Sequence, residues 1–254
     1  MLLAVDVGNT QTHVGAFDGA DLVGDWRLAT RRDSTSDEIA LAMVGSLEFR
    51  GLERASVEAA IVSTVVPRLG PVYSRLCERH LDAECLLVGP AVRTGMPILI
   101  DNPRELGSDR LVNAVAAYDR FGTACLSVDF GTSINIDAVS AAGEYLGGAI
   151  GPGLEVSIEA LAGRTAKLPS IEISEPDAAI GRGTQGALQS GFAYGFAGLV
   201  DGIVRRMQTE LGGDDVTVIA TGGMATSIAP LCETIDEVDS YLTLKGLRLI
   251  HERN

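Results

Sequence analysis

The 254-residue sequence predicts an α/β protein whose second half repeats the grammar of the first, and three features carry that reading. Short apolar strand-like runs alternate with stretches of helical period, the pattern of α/β architectures. A strand that ends in Asp and turns through glycine occurs twice half a chain apart, as Asp6-Val-Gly-Asn-Thr10 and as Asp129-Phe-Gly-Thr132. Hydrophobic residues make up 46% of the chain against 21% charged, which is too apolar for disorder and sufficient for a large core.

The elements follow in order. Residues 2–7 are an apolar run stopped by Gly8-Asn9, and 11–17 resume alternation up to Asp18-Gly19, which predicts a hairpin, with a further strand at 21–29. Thr35 and Glu38 have the spacing of a capping box, and Ile39, Met43 and Leu47 recur every four residues, so 36–49 reads as an amphipathic helix. Residues 59–66 form a buried-strand pattern stopped by Pro67, followed by a helix over 68–81 and a short strand at 85–88. The Gly- and Pro-rich stretch 89–107 is expected to cross between two lobes, residues 1–107 and 108–254. A helix then starts at Gly107-Ser-Asp-Arg110, and strands are expected at 124–129 and 134–139. Gly147-Gly-Ala-Ile-Gly-Pro-Gly153 reads as a glycine turn opening a helix at 154–163 within a helix-rich region that runs to 212. A strand at 216–220, the turn Thr221-Gly-Gly223 and a helix near 242–252 complete the chain.

Composition narrows the function. With 20 Lys+Arg against 34 Asp+Glu the net charge is −14, which argues against nucleic acid or an anionic membrane as the main partner, since both require excess positive charge. No run approaches the length of a membrane span, and the N-terminus lacks the basic start and apolar stretch of a signal peptide. The four cysteines, Cys77, Cys85, Cys125 and Cys232, include no Cys-x-x-Cys pair, so neither a zinc site nor a disulfide framework is expected and the compartment is read as cytoplasmic. No P-loop lysine motif and no Gly-x-Ser-x-Gly elbow is present.

The remaining motifs suit phosphate chemistry. In each Asp-x-Gly turn a carboxylate ends a buried strand and glycine lets backbone N–H groups approach an anion, so amides hold phosphate oxygens while Asp holds a cation directly or through water. A plain hairpin turn uses the same residues for conformational reasons, and it is the duplication that favours the phosphate reading. A glycine turn at a helix start is an anion site by geometry, or else only a tight connection. Thr221-Gly-Gly223 has the flatness to rest against an adenine ring. Asp109 and Arg110 do not face each other on a helix, so an internal ion pair explains them poorly; helix-dipole compensation or a carboxylate base with a neighbouring guanidinium both remain open.

Taken in order, Asp6-Val-Gly-Asn-Thr10, Gly107-Ser-Asp-Arg110, Asp129-Phe-Gly-Thr132, Gly147 to Leu154 and Thr221-Gly-Gly223 resemble the type III pantothenate kinases, with Gly163 to Pro169 and Gly181 to Gly191 adding to the match. The resemblance implies two duplicated ribonuclease-H-like lobes of the actin-like ATPase fold, with mixed sheets flanked by helices. It implies ATP-dependent phosphorylation of pantothenate, the first step of coenzyme A synthesis, by a homodimer that uses ATP, Mg²⁺ and a monovalent cation, K⁺ or NH₄⁺. By the same resemblance Asp6, Val7, Gly8, Asn9, Thr10, Gln11, Thr12 and His13 hold the phosphates, with Asp6 placing Mg²⁺, and Thr132 contacts ATP. Gly107, Ser108, Asp109 and Arg110 line the pantothenate pocket together with Thr184, Asp109 is the general base, and Asp129 holds the monovalent cation. Ser133-Ile134-Asn135 and Ile100 depart from the family pattern. The first motivates a second reading, a non-catalytic ATP-binding or regulatory homologue, and the other a kinase for a different small alcohol or acid.

Overall fold

Residues 2–29 form three antiparallel strands joined by two tight turns, β1 (Leu2–Val7), β2 (Gln11–Asp18) and β3 (Asp21–Ala29). The computed structural model describes residues 1–165, 171, 174–213 and 215–254. The first hairpin forms where apolar alternation meets Gly8-Asn9, and the Gly8 N–H closes the turn on the Gln11 carbonyl at 3.0 Å. Next comes α1 (Ser36–Phe49), with the expected capping box: the Glu38 N–H donates to Thr35 Oγ1 (3.3 Å) and the Thr35 N–H to Glu38 Oε2 (2.8 Å). Ile39, Met43 and Leu47 are its buried stripe.

β4 (Ala59–Thr64) pairs parallel to β1 and ends two residues earlier than its apolar run predicts, because Thr64 Oγ1 folds back to accept from the Val66 N–H at 3.0 Å. The helix expected over 68–81 is split: α2 (Gly70–Leu76) widens into a π turn over Cys77–Leu81, and Asp82 in the left-handed region (φ 52°) ends it before β5 (Glu84–Leu87). The first sheet has the order β3-β2-β1-β4-β5, and α1 and α2 bury one of its faces around Leu3, Val5, Val7 and Val14. Helix α3 (Ser108–Phe121) starts where the Gly107 signal places it.

The second sheet repeats this topology. β6 (Cys125–Phe130), β7 (Ser133–Val139) and β8 (Tyr145–Pro152) are antiparallel. Helices α4 (Leu154–Arg164) and α5 (Thr184–Leu211) precede β9 (Thr217–Thr221), then α6 (Ala225–Ile228) and the two-residue β10 (Glu237–Val238). The order β8-β7-β6-β9-β10 matches β3-β2-β1-β4-β5 strand for strand, including which pairs are parallel. Residues 166–169 of the Gly163 to Pro169 motif lie outside the described residues.

One expectation is corrected. Gly147 to Pro152 is strand rather than turn: β7 needs a partner on its open side, and this stretch supplies it in the register Ile136↔Ala149 and Ile134↔Gly151. Only Gly153 caps α4, and its N–H donates to the Thr132 carbonyl at 3.1 Å. The chain forms two compact units. One unit comprises Met1–Gly95, Asn102–Ala116 and Leu242–Asn254, the other Met96–Asp101 and Ala117–Tyr241. The final helix α7 (Leu242–Glu252) therefore belongs with the first sheet, where it packs on β1, β2 and β4 through a face that includes Leu244, Leu247 and Ile250. A sheet with parallel pairs needs cover on both faces, and α1 and α2 occupy only one.

Candidate active site

In the first unit, strand register builds a row of polar side chains across the sheet. Asp6 on β1 lies opposite His13 on β2 and beside Ser63 on β4, and His13 lies opposite Arg27 on β3. Neighbouring strands place such side chains on the same face about 5 Å apart. Asp6 is half-buried at the mouth of the turn, while Asn9, Thr10 and Gln11 are exposed. Val7, Thr12 and His13 are buried, and two of them are engaged: Thr12 Oγ1 meets Thr30 Oγ1 at 2.9 Å, and His13 Nε2 meets Asp25 Oδ2 at 3.2 Å. Burial and the nearby Arg27 charge hold the His13 imidazole below its usual pKa, with Asp25 opposing. The stretch expected to hold phosphates thus presents its turn, residues 8–11, together with the Asp6 carboxylate. Arg32 adds a positive charge there through a bond from Nη2 to Asn9 Oδ1 at 3.5 Å, a neighbour the sequence does not signal.

The Gly107–Arg110 group is in the same unit and joins this row. Ser63 Oγ lies 2.9 Å from Ser108 Oγ, which ties the strand beside Asp6 to the first residue of α3. Asp109 is half-buried, and its Oδ1 accepts from the Arg110 N–H at 2.8 Å. Desolvation raises the Asp109 pKa above the usual carboxylate value, against the opposing pull of that N–H and of the Arg110 guanidinium. A carboxyl group pushed toward neutrality without losing its charge-stabilising neighbours is suited to accept a proton.

Gly107 is part of that geometry. A Cβ at this position would come within 2.6 Å of Asp109 Oδ1, so the carboxylate folds back over the space left by the missing side chain. Gly107→Ala is expected to lower kcat by roughly tenfold to a hundredfold, the scale of a misplacement of about 1 Å. Its backbone is not left-handed, so thermal unfolding should move little. Parallel kinetics and melting of the variant check this, and an unchanged kcat would show that the carboxylate tolerates displacement.

In the second unit Asp129 occupies the register of Asp6. It lies opposite Asn135 on β7 and beside Thr221 on β9, where the first sheet has His13 and Ser63. The turn is one residue tighter, with the Gly131 N–H closing on the Ser133 carbonyl at 3.0 Å. Thr132 is exposed at its tip. Ser133 and Asn135, which depart from the family pattern, satisfy each other through a 3.2 Å bond from Ser133 Oγ to Asn135 Oδ1. Ile100 packs beside Gly147. Gly222 is used differently from the sequence expectation. At φ +97° it backs directly onto Asp129 and the Phe130 backbone, where any Cβ would overlap both, whereas Gly223 faces open space. Thr184 is exposed as the first residue of α5, and no hydrogen bond among the described residues joins its side chain to Asp129 or Thr132.

The family model of the type III pantothenate kinases matches residues 2–206. This chain belongs to that family. The relationship extends beyond the matched range. The type III pantothenate kinase of Anaeromyxobacter sp. (strain K) is 48% identical over 254 residues, covering 100% of both chains. That of Myxococcus xanthus is 49% identical over 100% of this chain and 99% of its own, and that of Moorella thermoacetica 46% identical over 100% of each. Among solved structures, a Campylobacter jejuni protein assigned to the Baf family of transcriptional activators superposes with a TM-score of 0.62 at 19% identity, covering 99% and 98% of the two chains. The activator of 2-hydroxyisocaproyl-CoA dehydratase from Clostridium difficile, solved with bound ADPNP, gives a TM-score of 0.55 at 13% identity over 99% and 94%. At such identities the structural likenesses speak for the actin-like fold alone, and it is the sequence relatives that place the chain in the family.

Proposed function

We infer that this chain transfers the γ-phosphoryl group of ATP to the primary hydroxyl of pantothenate, giving 4'-phosphopantothenate and ADP, the first step of coenzyme A biosynthesis. The observation that carries the reading at the level of residues is Asp109: a carboxylate with a raised pKa, on a helix start tied by Ser108 to the strand beside Asp6. Asp109 accepts the hydroxyl proton as the oxygen attacks phosphorus. The bond from phosphorus to the bridging oxygen breaks, and ADP leaves with that electron pair. Arg110 offsets negative charge near the base, and Gly107, Ser108 and Thr184 line the pantothenate site. Such a reaction asks a protein for positioning and charge neutralisation more than for covalent chemistry.

Asp6 and the turn of residues 8–11 hold the phosphates, the Gly8 N–H staying with the Gln11 carbonyl, and Thr132 contacts ATP. Among the described residues no cluster of three or more His, Cys, Asp or Glu side chains forms a metal cage. The donors fit Mg²⁺ that arrives with ATP and keeps much of its water, with Asp6 as the protein carboxylate. Bound there, Mg²⁺ would neutralise phosphate charge. Asp129, flanked in register by Asn135 and Thr221, offers oxygen donors suited to K⁺ or NH₄⁺. We further propose that the chain is a cytoplasmic homodimer. An apolar cleft of about 300 Å³ between α4 and α5, lined by Leu161, Leu188, Phe192, Phe196 and Leu199, supports a self-association face. No helix among the described residues is long and apolar enough to cross a membrane.

Full-length relatives named as kinases favour this reading over a non-catalytic homologue. The test is ADP formation dependent on pantothenate, measured with K⁺, with NH₄⁺ and with neither. Turnover that requires pantothenate and rises with one of the two cations is the expected result. ADP release without a pantothenate requirement would remove the substrate assignment, and indifference to both cations would remove the role of Asp129.

A further inference from the structure

Ser63 is a fully buried hydroxyl in a strand that otherwise carries Ala, Ile and Val up to that point. Its neighbour in the sheet is Asp6, and its Oγ lies 2.9 Å from Ser108 Oγ. Ser108 Oγ also donates to the Thr64 carbonyl at 3.3 Å. A serine hydroxyl has a single proton, so with that of Ser108 directed at the carbonyl, the proton between the two hydroxyls belongs to Ser63. Thr64's own hydroxyl is occupied in the turn to Val66, which leaves its carbonyl as the outward acceptor. The end of β4 therefore grips the first residue of α3 by two consecutive bonds, directly before Asp109.

We propose that Ser63 is a positioning residue for the phosphoryl transfer: by holding Ser108 it fixes the Asp109 carboxylate relative to the strand that carries Asp6. The proposal rests on the assignment of Asp109 as base and Asp6 as phosphate-side carboxylate. The second sheet gives a point of comparison. Thr221 beside Asp129 is also a buried hydroxyl residue, but the chain continues from it into a glycine turn, and no catalytic helix start is expected there. What distinguishes Ser63 is its partner on α3.

The experiment is a double-mutant cycle of Ser63→Ala, Ser108→Ala and the pair, with steady-state kinetics for both substrates. Ser63→Ala is expected to lower kcat about tenfold, on the scale of a small displacement of a catalytic group, with KM for ATP unchanged. In the Ser108→Ala background the same substitution should add little, because the link it removes is already gone. Multiplicative losses, or a kcat for Ser63→Ala within about twofold of wild type, would overturn the proposal. If Ser63→Ala does not fold, Ser63→Val, which also removes the hydroxyl and suits a strand, takes its place in the cycle under the same criteria. Amide hydrogen exchange over residues 108–112 supplies a readout independent of turnover. Faster exchange there in the Ser63 variant is expected, and unchanged exchange counts against the tie. A wild-type protein without pantothenate turnover but with that exchange effect would refute the substrate assignment and leave the Ser63–Ser108 link standing.

Discussion

Asp109→Asn is expected to abolish most turnover and at the same time give a more heat-resistant protein at neutral pH. Loss of a positioned general base costs on the order of a hundredfold to ten-thousandfold in kcat. Asn keeps an oxygen that can accept from the Arg110 N–H, as Asp109 Oδ1 does at 2.8 Å, so the local backbone loses little. The stability gain follows from the sign of the pKa shift. Burial raises the Asp109 pKa in the folded protein, so the folded state holds this proton more tightly than the unfolded chain. Stability then falls as pH rises from the ordinary carboxylate range through the folded value, and the penalty is fully present above it. A neutral Asn carries no such penalty. Its melting temperature should exceed that of wild type at pH 7, and the difference should fade below the ordinary carboxylate range. Kinetics at pH 7 and thermal unfolding at pH 7 and at about pH 3 decide the matter. A variant that keeps kcat within tenfold would remove Asp109 as base, and one that melts lower than wild type at pH 7 would show the carboxylate to be a net structural contributor.

The second large effect is expected at Gly222. Ala there must adopt a left-handed backbone, at about 1–2 kcal/mol. It must also displace the Asp129 carboxylate and the Phe130 backbone, which it would overlap, at about 1–3 kcal/mol. Gly222→Ala should therefore lose roughly 3 kcal/mol of stability together with the monovalent-cation stimulation proposed for Asp129. Gly223→Ala, one residue on and facing open space, should stay within about 0.5 kcal/mol of wild type. Denaturant midpoints and assays with and without K⁺ compare the two. Equal behaviour of both variants would sink the claim that only the first glycine shapes the Asp129 turn.

How far the sequence could be read depended on the range of the interaction. Helix α1 was legible because its cap and its apolar stripe lie within fifteen residues of one another. The two Asp-x-Gly turns were legible because a hairpin is also local, and the strand-for-strand match of the two sheets bears out the duplication they suggested. Local glycine content misled at 147–152, where the neighbouring strand β7 imposes an extended backbone. The amphipathic character of α7 announced a buried face without saying which sheet it would cover. The split of α2 into a π turn and the two-residue β10 had no signal at all. Among the proposed site residues, Asp6, Asp109 and Asp129 stand out in the sequence because a carboxylate beside glycine is conspicuous. A single serine in an apolar strand is not, and Ser63 became visible only through the register that sets it beside Asp6 and the helix start that meets it.

The place of α7 has a consequence for biosynthesis. A chain emerging from the ribosome carries β1 through β5 long before the cover for one face of that sheet, which lies in residues 242–252. The second unit, apart from residues 96–101, is one continuous stretch from 117 to 241 and is complete in the nascent chain before its older neighbour. Synthesis therefore reverses the usual order in which the N-terminal part closes first. Until residues 242–252 are made, the apolar surface awaiting Leu244, Leu247 and Ile250 stays open to chaperones, and a message truncated just before codon 242 would yield a protein with its second sheet whole and its first sheet unsealed.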